Sequence, residues 1–272
     1  MTFQPVVPLG GYAGWSFLQK TLPAQQKAFA ESAPVARATD AFRERIADVG
    51  SATDLVADRA LLRVALGAFG LDDDIDNRFF IETILSQGTV DDDALANRLA
   101  DKRYAEFSAA FGFGDGPIAR TADAGFADSI IARYETQQFA RAVGDQNNDL
   151  RLALNAAGAL SQIIDKASTN TGRWFSIMGN PPLRQVFETA LGLPSGIASI
   201  DLDQQREVFQ DRARSILGTD DVQSFTDPVL QEDIRRLFLI RAEATLFGGP
   251  SSGQTALTLL QSARPVGVAP IT

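Results

Sequence analysis

Apolar residues recur along this chain at intervals of three and four, a spacing that only an α-helix gathers onto one face. Leu61, Val64, Ala65, Ala68 and Phe69 stand at i, i+3, i+4, i+7 and i+8. Thr53 followed by Asp54 predicts an N-cap with an acid where the helix dipole favours it. Gly70 predicts a left-handed C′ stop, with Leu71 folding back on the last turn as in a Schellman motif. Residues 76–87 read as a helix closed by Gly88. Asp91, Asp92 and Asp93 open another, which carries Leu95, Leu99, Tyr104, Phe107 and Phe111 and breaks near Asp101. Helices are also expected over 123–143, 148–166, 201–217 and 227–247, with a shorter one starting at Pro181-Pro182. Alternation of period two is nowhere convincing, so the expected class is all-α. The hydrophobic share of 45% is enough for a buried core.

The helical pattern contains an apparent repeat. Leu61, Val64, Ala68, Gly70 and Leu71 match Leu183, Val186, Ala190, Gly192 and Leu193 at a shift of 122. Gly88-Thr89 with Leu95, Tyr104 and Phe107 match Gly218-Thr219 with Phe225, Ile234 and Leu237 at a shift of 130. The expected organisation is an N-terminal arm and first helix (1–38), two related helical units (39–115 and 116–247), and a linker with a C-terminal tail (248–272). The break between the units is placed at Gly112-Phe113-Gly114-Asp115-Gly116-Pro117.

Composition narrows the chemistry. There is no His and no Cys, which removes the usual zinc sites, His-based triads, thiol chemistry and disulfides. Lys and Arg number 25 against 34 Asp and Glu, for a net charge of −9, and only Lys20, Lys27, Lys102 and Lys166 are lysines. A scattered minority of cations argues against nucleic acid and against an anionic membrane surface. No segment has the apolar length of a membrane span, and the start lacks the pattern of a cleavable signal peptide. The expected location is cytoplasmic, or exported without a cleaved signal. No cofactor is expected, and sequence leaves the oligomeric state open.

Several stretches invite a functional reading. Asp72, Asp73, Asp74 and Asp76 resemble a calcium loop, but Asn77 stands where its Gly belongs and Thr83 where its bidentate Glu belongs. Asp91 to Asp93, Asp201 with Asp203, and Asp220 with Asp221 are carboxylate groups that could hydrolyse glycosides; each also precedes a helix, where capping accounts for it. Gly10-Gly11-Tyr12-Ala13-Gly14 has neither the preceding strand nor the following Lys of a phosphate cradle. Trp15 and Phe17, in a Gly- and Pro-containing arm, either pack on the bundle or anchor a partner. Leu257 and Leu260, in a short apolar stretch beyond a Gly-Ser linker, form either a docking peptide or an intramolecular clasp. These four are the candidate partner-binding residues; no catalytic, cofactor or metal residue is assigned.

Gly14-Trp15-Ser16-Phe17-Leu18-Gln19-Lys20-Thr21, Ala65-Leu66-Gly67-Ala68-Phe69-Gly70-Leu71, Leu99-Ala100-Asp101-Lys102-Arg103-Tyr104 and Trp174-Phe175-Ser176-Ile177-Met178-Gly179 occur in this order. With Leu183-Arg184-Gln185-Val186-Phe187-Glu188-Thr189-Ala190-Leu191-Gly192-Leu193-Pro194, they resemble a bacterial family catalogued as a domain of unknown function, number 1217. Members of that family are often encoded among flagellar genes, and the resemblance implies a place in building or running the flagellum. It transfers no active-site residue. The expected function is a non-enzymatic, flagellum-associated binding protein, either an assembly factor or a minor structural component. The alternatives are a hydrolase using carboxylates alone and a cytosolic export chaperone or regulator.

Overall fold

Side-chain caps begin about half of the helices in this chain, because each helix start exposes backbone N–H groups that need an acceptor. The computed structural model describes residues 3–116 and 119–247. Among them all regular structure is helical: α1 Gly11–Ala30, α2 Ala33–Arg45, α3 Ala52–Ala57, α4 Arg59–Gly67, α5 Arg78–Gln87, α6 Leu95–Arg98, α7 Arg103–Phe111, α8 Phe126–Gly144, α9 Asn148–Lys166, α10 Asn170–Met178, α11 Pro181–Leu191, α12 Leu202–Leu217 and α13 Pro228–Phe247. Asn147 accepts the Leu150 N–H at 3.0 Å to start α9, Asn180 accepts that of Leu183 at 3.1 Å to start α11, and Asp201 accepts that of Asp203 at 2.8 Å to start α12.

Three local readings change. The single helix expected after Thr53 is two: Ser51 caps α3 through the Asp54 N–H, and Asp58 caps α4 through the N–H groups of Ala60 and Leu61 at 2.9 and 3.1 Å. The Trp174 segment between expected loops is helix α10, begun by Thr169 accepting the Gly172 N–H. The glycine-containing N-terminal arm is the 20-residue helix α1, with Pro23 inside it. Trp15, Leu18 and Phe29 supply its buried face. Gly14 is required there for close approach, since a Cβ would lie 2.0 Å from the Leu9 carbonyl oxygen.

Gly70 and Gly192 end α4 and α11 at φ +66° and +62°. In each the following leucine completes a Schellman motif, with Leu71 N–H donating to Leu66 O at 3.0 Å and Leu193 N–H to Glu188 O at 2.8 Å. A distant arginine then covers each end: Arg103 donates to Gly70 O and Arg241 to Ala190 O. Beyond these ends the two stretches pack differently, α4 against α2, α3 and α8, and α11 against α13 and α9.

One continuous cluster of buried apolar side chains extends from Trp15 to Leu239. Trp174, fully buried, meets Phe187, Phe209 and Phe225 at ring-centroid distances of 5.8, 6.0 and 5.9 Å, and its indole N–H donates to Asp220 O at 2.8 Å. Phe111, at the end of α7, packs edge-on against Phe126 of α8 at 5.2 Å. The glycine-rich segment after α7 lies against the end of α5: a Cβ on Gly114 would fall 2.3 Å from Gly88 N, and Asp115 accepts from the Thr89 hydroxyl at 3.1 Å. α1 is fastened to α13 by Glu232, whose carboxylate accepts from Tyr12 Oη at 3.0 Å, Gln19 Nε2 at 3.2 Å and Arg235 Nε at 3.2 Å.

Candidate functional site

Helices α8 and α9 each bury one stripe and leave a polar stripe on the opposite side. On α8 the buried face holds Ile130, Ile131, Tyr134 and Val143, while Arg133, Gln137 and Arg141 follow one another at i, i+4 and i+8. On α9 the buried face holds Leu150, Ala153, Ala156 and Leu160, while Asn148, Arg151, Asn155, Gln162 and Lys166 face the other way. These polar stripes, with α7 opposite, line a cleft of about 1040 Å³. The turn before α11 (Gly179, Asn180) and its first two prolines complete the rim. A volume of that size suits a large ligand or a polypeptide segment.

Its charge differs from that of the chain. Six of the 25 Lys and Arg line it against five of the 34 Asp and Glu, which leaves 19 against 29 everywhere else. Four of the five carboxylates are engaged; the fifth, Asp145, is exposed and makes no ion pair among the described residues. Asp72 pairs with Arg141 at 3.2 Å and accepts from Gln138 Nε2 at 2.7 Å. Asp73 reaches Arg141 at 3.5 Å, Asp101 holds Arg103 at 2.7 Å, and Glu106 holds Lys166 at 2.9 Å. Burial alone would raise the Asp101 carboxyl, but its hydrogen bonds from Arg103 outweigh that and hold it below the usual range. Tyr104, beside this pair, donates to Asp74 Oδ2 at 2.6 Å; burial and that hydrogen bond push its hydroxyl up to about 12.

Arg133 and Arg151, like Lys102 at the opposite rim, make no ion pair among the described residues. Arg133 stacks over the Phe69 ring at 4.8 Å. With its amide oriented to satisfy both neighbours, Gln162 accepts from Arg133 Nη2 at 2.8 Å and donates to Glu106 Oε2 at 3.1 Å. Arg151 donates from Nη2 to Asn148 Oδ1 at 2.6 Å. Burial, together with the guanidinium groups of Arg103 and Arg141, loosens its hold on its proton.

Of the residues nominated from sequence, only Asp72 and Asp73 line this cleft among the described residues. Trp15, proposed as a partner anchor, is 4% exposed, its ring covered by Arg235 at 5.3 Å and its N–H directed at Glu232; it belongs to the α1–α13 packing. Phe17 is half-buried on the same helix. Leu257 and Leu260 lie outside the described residues. The would-be calcium loop spends its carboxylates on Arg141, Gln138, Tyr104 and Asn77. The acids nominated as hydrolytic pairs cap turns: Asp91 accepts from Asp93 N–H, Asp201 from Asp203 N–H, and Asp221 from Gln223 N–H. Asp220 pairs with Arg214 at 2.9 Å. Of the cleft's residues only Asp72 and Asp73 were singled out, as part of a calcium loop, although the acid-free stripes 133–137–141 and 148–151–155–162–166 were the signal of the rest.

No curated protein matches the sequence. Among solved structures, the crystal structure of protein AGR_C_984 from Agrobacterium tumefaciens is similar at a TM-score of 0.70 and 26% identity, over 87% of this chain and 97% of that one. A family model described as "Protein of unknown function (DUF1217)" matches residues 68–230, a segment that contains every residue lining the cleft. With more than half of its length matched, the chain belongs to the DUF1217 family.

Proposed function

We propose that this protein is a non-enzymatic binding protein that holds a segment of a partner protein in the cleft between α7, α8 and α9. The observation that carries the reading is the state of the cleft's charged groups. Four of the five carboxylates, Asp72, Asp73, Asp101 and Glu106, are each tied to an Arg or Lys and only Asp145 stands alone, whereas Arg133 and Arg151 are left to face an open groove. A carboxylate-only hydrolase needs one free acid and one free base across the scissile bond. A recognition groove needs cations and amides with spare hydrogen-bonding capacity. The arrangement favours the second.

The expectation that members of this family are often encoded among flagellar genes favours one partner class: a component of the flagellar apparatus, served by this chain as assembly factor or minor structural part. The shared Schellman ends at Gly70 and Gly192 also support a common origin for two helical units. The test is in-cell crosslinking of the tagged protein, with mass spectrometry of the adducts beside a fractionated flagellar preparation. Enrichment of flagellar components is expected; their absence from the adducts would refute the flagellar assignment.

A further inference from the structure

The α8–α9 wall of the cleft carries two cations that make no ion pair among the described residues, at a definable separation. Through Gln162, Arg133 is tied to a position 11 residues beyond Arg151 on α9. At the helical rise this separates the two points by roughly 16 Å. Between them lie the amides of Gln137 and Asn155, in contact at 3.5 Å and each able to donate and to accept. Arg151 is positioned by the absence of a side chain at Gly144, where a Cβ would stand 2.5 Å from Arg151 Cδ. A single small anion cannot reach both cations, and an extended polypeptide advances roughly 3.3 Å per residue. Its backbone also suits paired amides, which a phosphate does not.

We infer that this wall receives an extended polypeptide segment of the partner that carries two carboxylates roughly four to six residues apart, one on Arg151 and one on Arg133, with its backbone against Gln137 and Asn155. This rests on the binding-protein reading and specifies its site. The bound carboxylates would offset the burial of Arg151 and its repulsion by Arg103 and Arg141.

The test uses fluorescein-labelled Gly/Ser peptides bearing two Glu five positions apart, or two Gln at the same positions, with binding to the full chain read by anisotropy at low salt. The Glu peptide is expected to bind at least about tenfold more tightly than the Gln peptide, and Arg151→Gln and Arg133→Gln each to lose about tenfold. Arg37→Gln, the same charge change at an exposed site outside the cleft, should stay within about twofold. Gly144→Ala keeps every charge and displaces Arg151, and is expected to weaken binding by about threefold or more. Equal binding of the two peptides, equal losses in Arg37→Gln and Arg151→Gln, no loss in Gly144→Ala, or full displacement by equimolar inorganic phosphate would each overturn the assignment. If the Arg133→Gln/Arg151→Gln double variant still captures the same partner in cells, the binding-protein reading stands and this site falls.

Discussion

Replacing Gly192 by alanine separates two costs that the structure places on one residue. The first is backbone: φ is +62°, in the left-handed region, where an alanine costs about 1 kcal/mol. The second is local. A Cβ would stand 2.9 Å from Arg241 Nη1, the group that donates to Ala190 O at the end of α11. Moving that guanidinium weakens a charge-assisted hydrogen bond in a half-exposed setting, a further loss of about 1 kcal/mol. Gly218 is the internal control, with φ +79° and open space around its missing Cβ. Gly218→Ala therefore carries the backbone cost alone. In a chain of this size Gly218→Ala should lower the melting temperature by about 2 °C and Gly192→Ala by about 4 °C. Differential scanning calorimetry reads both, and in an Arg241→Met background the Gly192→Ala penalty should fall to that of Gly218→Ala. Equal shifts in the wild-type background, or a melting temperature raised by Gly192→Ala, would refute the reasoning.

Three further outcomes follow from the packing. Glu232→Ala removes the acceptor shared by Tyr12, Gln19 and Arg235 and should destabilise by about 2 kcal/mol in urea; a loss under about 0.5 kcal/mol would mean that α1 is held by apolar contact alone. Gly114→Ala drives a Cβ to 2.3 Å from Gly88 N and 2.5 Å from Ser86 O, an overlap with backbone that no rotamer relieves, and should cost about 3 kcal/mol by the same measurement. Tyr104, with its hydroxyl pushed up to about 12, binds its proton more tightly folded than unfolded, so its contribution is whole below about pH 10 and is lost as pH rises towards 12. The gap in urea midpoint between wild type and Tyr104→Phe should hold steady at neutral pH and close above pH 10; a gap independent of pH would contradict the Asp74 hydrogen bond.

Helices with strong caps and one clean stripe were legible residue by residue. α9 runs over 148–166 as its periodicity requires, and Asp201 begins α12 where an acid before a helix belongs. α1 was obscured because Gly11, Gly14 and Pro23 each count against a helix by local propensity, while the reason for Gly14, the Leu9 carbonyl beside it, exists only once the chain has folded. Asp58 was hidden inside an apparently continuous stripe: as the α4 cap it turns one expected helix into two. Asp201 and Asp221 were legible as caps, whereas Asp91 closes a turn ahead of α6, which starts without a side-chain cap. The cleft was not legible, because it arises from the relative placement of α7, α8 and α9, and a polar stripe on a single helix is the ordinary mark of a solvated face.

A photocrosslinking amino acid at Ala132, exposed on the cleft rim, tests the central claim most directly when compared in cells with the same residue at Lys20, exposed on α1. The account predicts that Ala132 yields a discrete adduct whose crosslinked residue lies in an acidic segment of the partner, and that Arg133→Gln with Arg151→Gln abolishes it while the Lys20 position stays silent. Adducts formed equally from Lys20, or an Ala132 adduct indifferent to both arginines, would contradict it.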